Sequence, residues 1–207
     1  MTVDELLRHH ELARLARVLR DRPGRSLDLL PDEPVLHAAV AIVLRPGEGG
    51  ELELLLIKRA EFEGDPWSGH VALPGGRREP GDHSLADTAV RETWEETAIH
   101  IERTGQLLGA LDEISPTNPM ARRVVVRPYV AAVMPDVTIV ESPEVAAAFW
   151  VPLGALRTET SWINAEVQAH GLNLRVPAFA HGDYVVWGLT ERILRAFLAL
   201  RDDDAQR

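Results

Sequence analysis

Cysteine is absent from the 207 residues. That removes disulfides, thiolate metal sites and a cysteine nucleophile from consideration. Lysine is almost absent too, with Lys58 the only one. The chain carries 22 basic and 32 acidic residues, for a net charge of −10. It therefore lacks the positive surface that non-specific nucleic-acid binding or an anionic membrane requires. No apolar run approaches the ~18 residues that a membrane-spanning helix needs. The N-terminus carries Asp4, Glu5 and Arg8, without the apolar centre of a secretory signal. The expectation is a soluble cytoplasmic protein with neither nucleic acid nor membrane as partner. Low-complexity tracts and internal repeats are missing as well. Hydrophobic residues make up 45% of the chain, enough for one substantial core.

What is present in quantity is carboxylate, and its most informative cluster is Arg91-Glu92-Thr93-Trp94-Glu95-Glu96. On a helix, residues at i, i+3 and i+4 share a face, which groups Glu92, Glu95 and Glu96. Val90, Trp94, Thr97 and Ala86 fall roughly opposite and supply a face to pack. Like charges at this spacing cost an isolated helix about 0.2–0.5 kcal/mol per pair. A divalent cation between them would offset that cost, and hard oxygen donors suit Mg²⁺ or Mn²⁺. Upstream, Leu73-Pro74-Gly75-Gly76 reads as the end of a strand running into a glycine loop. Pro80-Gly81 reads as a turn, and Ser84 with Asp87 has the spacing of a capping box.

The stretch from Gly76 to Ile99 resembles the Nudix box, G-x5-E-x7-R-E-U-x-E-E-x-G-U with U aliphatic. Gly76, Arg91, Glu92, Glu95, Glu96 and Ile99 match. The first acid is Asp82 instead of Glu, and its spacing to Arg91 is one residue longer. Thr93 replaces an aliphatic residue, and Ala98 stands where a glycine ends the helix.

The resemblance implies an α+β fold, a Nudix-type α/β/α sandwich with a mixed sheet. It also implies metal-dependent hydrolysis of a nucleoside diphosphate linked to another group. By motif position, Gly76 (through its carbonyl), Glu92, Glu95 and Glu96 are the metal set. Glu95, Glu96 and Arg91 form the catalytic group, with Arg91 orienting the acids. The base lies in the box or in a distant loop, where Glu141 and Glu144 are candidates, Glu144 being the choice.

The longer spacing and the C-terminal Val186-Trp187-Gly188-Leu189-Thr190 look most like the coenzyme A pyrophosphatase branch. That implies release of 3′,5′-ADP and 4′-phosphopantetheine. Contacts to substrate phosphates are expected from Arg59, Arg77 and Arg122, with Arg78 and Arg123 as further candidates. The same chemistry on ADP-ribose, a dinucleotide or a nucleoside triphosphate is the nearest alternative, and a catalytically silent binding module of this fold is another.

Residues 1–30 are expected to form a helical extension, 31–200 the hydrolase domain and 201–207 a disordered tail. One amphipathic helix is expected from Thr2 to about Arg20, opened by Thr2 and Glu5 as a capping box. Strands are expected at 37–44, 51–58, 106–111, 122–134 and 146–151, with a short helix at 152–156. A closing hairpin is expected around His181-Gly182-Asp183, then a helix over 188–200. Pro128 places its strand at an edge or bends it. Trp67 reads as core, and His70 as a satisfied loop histidine. The two terminal helices either cover the core or form the surface of a homodimer.

Overall fold

A computed structural model describes residues 2–28, 35–62, 68–116, 124–169 and 172–202. Trp67, Arg122, Arg123 and the tail beyond 202 lie outside the described residues. The fold is α+β, with a mixed sheet between two layers of helices and a small second sheet beside it.

Its centre is β1, Leu36–Pro46. Side chains along a strand alternate between faces, and here both faces are covered. Ala39, Ala41 and Val43 pack on one side, and Ala38, Ile42 and Leu44 on the other. β1 pairs with β2, Leu52–Arg59, only near their hairpin, where Leu44 faces Leu54 and Pro46 faces Leu52. Beyond that the two strands diverge, and the stretch 71–77 fills the fork. β3, Val71–Ala72, pairs with β2. β4, Gly75–Arg77, pairs antiparallel with β1, Gly76 opposite Ala39. The glycine pair is thus strand and not loop, held by the exposed backbone edge that β1 offers there.

A helix, α3 (Leu85–Thr97), follows and lies against β1 and β4. A short helix, α4 (Ile101–Thr104), then leads into β5, Gly105–Ala110. β6, Val124–Val133, runs parallel to β1 on one side and antiparallel to β5 on the other. Pro128 is therefore interior, not at an edge. Its carbonyl points toward β5 and accepts from the Leu111 amide at 2.8 Å. Its nitrogen lies on the same side of the strand and has no hydrogen to return to Leu111, which stands one residue beyond the end of β5. β7, Val145–Pro152, borders the far side of β2.

The N-terminal helix is broken in two. α1, Val3–Leu6, carries the expected Thr2–Glu5 capping box, and α2 runs His10–Asp21. His9 turns aside at the break, and its Nε2 lies 2.7 Å from the Gly50 carbonyl of the β1–β2 turn. Leu6, Leu12, Leu15 and Leu19 belong to the same buried cluster as the sheet and as Phe197 of the last helix. The terminal helices cover the core.

After α5, Leu153–Arg157, comes β8, Trp162–Ala169, which the sequence did not suggest. It pairs with β9, Leu172–His181, and β9 pairs with β10, Tyr184–Trp187, as a second antiparallel sheet. α6, Gly188–Asp202, completes the chain. The second sheet is seated on the first by rings. Tyr184 stacks on Phe149 with centroids 4.0 Å apart, and Trp187 meets His70 at 4.6 Å. No helix among the described residues is long and apolar enough to cross a membrane.

Candidate active site

The acid-faced helix begins with the predicted capping box. Ser84 Oγ accepts from the Asp87 amide at 3.2 Å, and an Asp87 carboxylate oxygen accepts from the Ser84 amide at 3.0 Å. It buries Thr88, Ala89, Thr93, Glu96 and Thr97. Thr93 tolerates an aliphatic position because its hydroxyl donates to the Ala89 carbonyl one turn back at 2.7 Å. Trp94 is not on the packed face. It is 46% exposed and stacks on His100 with centroids 5.2 Å apart. An open cavity of about 310 Å³ lies there, lined by Asp82, Val90, Arg91, Trp94 and His100 among others. Glu92 and Glu96 do not line it.

The helix ends at Ala98 in the left-handed region, with φ 57° and ψ 14°. A Cβ in that conformation costs roughly 1–2 kcal/mol. The Ala98 amide still caps the helix by donating to the Trp94 carbonyl at 2.7 Å. Ala98→Gly is expected to raise stability by about 1 kcal/mol. Denaturant melts of both proteins, read as a midpoint shift at unchanged slope, check this.

The carboxylates separate into two groups. Asp82 is held by the helix and its own turn. It accepts from Arg91 twice, at 3.0 Å on each oxygen, from Thr88 Oγ1 at 2.9 Å and from the Glu79 amide at 2.9 Å. Arg91 also donates to Glu92 at 3.0 Å, to Glu95 at 2.9 Å and to the Arg77 carbonyl at 3.0 Å. The Arg91 guanidinium holds the Asp82 carboxyl far below the usual carboxylate range, and Asp82 in turn raises Arg91. The longer spacing does not stop Asp82 from reaching Arg91. Thr88 was not singled out in the sequence, although it sits one turn before Arg91 on the same helix face.

Glu96 stands apart. It is 4% exposed, and its Oε2 accepts from the Gly75 amide at 2.9 Å. Arg59 Nη1 is 4.0 Å from its other oxygen. Burial pushes the Glu96 carboxyl up to about 8, the Gly75 amide and Arg59 opposing and the charges of Glu92 and Glu144 adding to the rise. Burial raises Glu92 as well, with Arg91 opposing.

Gly76 explains how the strand and helix come this close. A Cβ there would stand 2.3 Å from Glu92 Oε1. Gly76→Ala is expected to displace the Glu92 carboxylate and lower hydrolysis at least tenfold. Steady-state kinetics beside a melting curve separate that effect from unfolding.

Of the loop acids, Glu144 shares the field of Glu92 and Glu96. Glu141 is used in the fold, accepting from the Ala148 amide at 2.8 Å. The loop itself is tied to the end of α3 by Val140 and Ser142, whose amides donate to the carbonyls of Thr97 and Glu96. Arg59 reaches the acids, whereas the Arg77 side chain is exposed at the end of β4. Arg78 is a turn residue, donating to the carbonyls of Asp82 and His83. His70 packs on Trp187. Among the described residues no three acids or histidines already converge as a preformed metal cage. Arg91 draws Glu92 and Glu95 one way while the Gly75 amide holds Glu96.

A family model described as the NUDIX domain matches residues 35–170, which span this arrangement from β1 through β8. The chain belongs to the Nudix hydrolase family. A protein from Yersinia pestis (strain Pestoides F) called "Uncharacterized Nudix hydrolase NudL" is 32% identical over 157 residues, covering 75% of this chain and 74% of that protein. The corresponding Yersinia pseudotuberculosis protein (serotype O:1b) matches equally. Among solved structures, a MutT/nudix family protein from Enterococcus faecalis has a TM-score of 0.57 at 19% identity, covering 98% of this chain and 75% of that one. An Ap4A hydrolase of C. elegans, in a binary complex, has a TM-score of 0.51 at 19% identity, covering 81% of this chain and 98% of that one. These two speak for the shared Nudix fold. Nudix hydrolases generally use divalent metal ions, and the hard carboxylate oxygens of Glu92, Glu95 and Glu96 are donors of the matching kind.

Proposed function

We propose that this Nudix hydrolase cleaves the diphosphate linkage of a nucleoside diphosphate derivative in a divalent-metal-dependent reaction. Its substrate is coenzyme A or a derivative, and its products are 3′,5′-ADP and 4′-phosphopantetheine. The observation that carries the reading is Glu96, a buried carboxylate held by the Gly75 amide in the field of Glu92 and Glu144. Burying a carboxylate is costly unless positive charge compensates it. Arg59 at 4.0 Å is a partial answer, and the donor set fits a hard divalent cation.

Glu92, Glu95, Glu96 and the Gly76 carbonyl would hold that cation. Bound there, Mg²⁺ or Mn²⁺ would neutralise diphosphate charge and acidify water. Arg91 keeps Glu92 and Glu95 turned toward one another. Arg59 meets a substrate phosphate beside Glu96, with Arg77 at the end of β4 as a contact to a remaining phosphate and Arg122, outside the described residues, as a further one. Glu144 takes the proton from the attacking water. Coenzyme A is favoured by the Val186–Thr190 stretch and by the longer spacing between Asp82 and Arg91.

The test is product analysis by mass after incubation with Mg²⁺ or Mn²⁺ and, separately, coenzyme A, ADP-ribose, a dinucleoside polyphosphate and ATP. Metal-dependent appearance of 3′,5′-ADP and phosphopantetheine supports the whole reading. Cleavage of another compound keeps the chemistry and moves the substrate. For the base, Glu144→Gln is expected to lower kcat by roughly 10²–10⁴-fold and to remove the acid limb of the pH–rate profile. Unchanged turnover takes Glu144 out of that role.

A further inference from the structure

Three threonines lie on α3, and two of them bond back to their own helix. Thr93 Oγ1 donates to the Ala89 carbonyl at 2.7 Å, and Thr97 Oγ1 donates to the Thr93 carbonyl at 2.6 Å. That bond to the carbonyl one turn back is the ordinary one for a helical threonine. Thr88 departs from it. Its Oγ1 is 3.3 Å from the Ser84 carbonyl and 2.9 Å from Asp82 Oδ2. A hydroxyl has one proton to donate, and an ionised carboxylate at the shorter distance is the stronger acceptor. Asp82, from the turn before the helix, therefore takes the Thr88 hydroxyl away from its own helix. Water does not compete for it, since Thr88 is fully buried and Asp82 nearly so.

That bond fixes the plane of a carboxylate. Asp82 Oδ2 accepts from Thr88, from the Glu79 amide and from Arg91 Nη2, while Oδ1 accepts from Arg91 Nε. A guanidinium held through two parallel bonds takes its orientation from the carboxylate. A guanidinium has five N–H donors, and Arg91 commits all of them. Nε and one Nη2 hydrogen go to Asp82, the other Nη2 hydrogen goes to the Arg77 carbonyl, and the Nη1 hydrogens go to Glu92 and Glu95. Turning Asp82 about its Cβ–Cγ bond turns the guanidinium, and Nη1 then leaves one acid or the other.

On the metal reading of Glu92 and Glu95 proposed above, we infer that Thr88 is a positioning residue for the hydrolysis. Its hydroxyl sets Asp82, Asp82 sets Arg91, and Arg91 holds the Glu92 and Glu95 carboxylates in the places from which they serve the cation. The helix supplies the alignment. Thr88 precedes Arg91 by three residues, Glu92 by four and Glu95 by seven, so all four share one face.

Thr88→Ser, Thr88→Val and Thr88→Ala separate this role from packing. Thr88→Ser keeps the hydroxyl and loses a buried methyl. Thr88→Val keeps the volume and loses the donor, and Thr88→Ala loses the donor without setting a methyl against Asp82. Mn²⁺ binding is read without substrate from the electron paramagnetic resonance of the free ion. Melting curves show each variant folded at the assay temperature.

Outer partners of metal ligands are worth ~10–100-fold in metal affinity. Thr88 acts through two intermediaries, so the Mn²⁺ dissociation constant is expected to rise roughly tenfold, the low end of that range, in Thr88→Val and Thr88→Ala. In Thr88→Ser it is expected to stay near the native value, although that variant melts below the native protein. Hydrolysis at subsaturating Mn²⁺ is expected to fall in Thr88→Val and to recover as Mn²⁺ is raised. Native affinity in Thr88→Val and Thr88→Ala overturns the inference. So does an affinity that follows melting temperature across all three variants, which makes Thr88 a packing residue. A native protein that binds no Mn²⁺ overturns the metal reading and the role of Thr88 with it. Binding without cleavage of coenzyme A moves only the substrate, and the order of the affinities still decides Thr88.

Discussion

Glu96→Gln is expected to lower metal-dependent hydrolysis by roughly 10²–10³-fold, the scale of losing one electrostatic contact to the reacting centre, and to stabilise the metal-free protein. The two effects have one cause. Without a cation the Glu96 carboxylate is buried beside other carboxylates, and its pKa is pushed up to about 8 from 4.5. Between those values the folded state binds more protons than the unfolded state, so stability falls as pH rises. The amide is isosteric, keeps an oxygen for the Gly75 amide and carries no charge. Metal-free melting curves of the native protein should therefore decline from pH 5 to pH 8, and those of Glu96→Gln should be flatter over the same window. Adding Mn²⁺ should raise the native melting temperature at pH 8 and leave the variant nearly unmoved. A native protein whose metal-free stability rises between pH 5 and pH 8 would contradict the burial argument, whatever the activity does.

Arg91→Met is expected to cost about 3–5 kcal/mol, the penalty for stranding a buried charge by removing its partner. Asp82 is 7% exposed and receives two bonds from Arg91, which Thr88 and the Glu79 amide cannot replace. Arg91→Lys should recover little, because one ammonium cannot span Asp82, Glu92, Glu95 and the Arg77 carbonyl in the way the planar fork does. Adding Asp82→Asn to Arg91→Met should restore part of the loss, since it removes the stranded charge. Denaturant midpoints for the two single variants and the double variant close the cycle. Additive losses would show that Asp82 and Arg91 are independent, against the geometry.

Several parts of the protein were legible because their signals are local. The capping boxes at Thr2 and Ser84, the β1–β2 and β9–β10 hairpins and the 3.6-residue spacing of Glu92, Glu95 and Glu96 each depend on neighbours in sequence. The long-range features were not. Nothing local distinguishes a glycine loop from a glycine strand, and Gly75–Arg77 became β4 only because diverging β1 and β2 left a free backbone edge beside Ala39. Pro128 read as a residue that bends its strand or marks an edge, because local rules cannot see that β1 and β5 flank it and that its carbonyl meets Leu111 one residue beyond β5. Trp94 read as packed because it is large and apolar, whereas the sheet accepts the neighbouring face with Ala89 and Thr93.

The sequence by itself determined the family, the mixed fold and the helix bearing the acids, since motif spacing and hydrophobic period survive in any context. Only the tertiary structure decided how those acids divide. Close approach of β4 to α3 gives Glu96 to the Gly75 amide and a buried site, while the turn before α3 brings Asp82 to Arg91 and ties Glu92 and Glu95 to the same guanidinium. Burial and partner choice are set by distant segments meeting in space, and no periodicity along one helix encodes them.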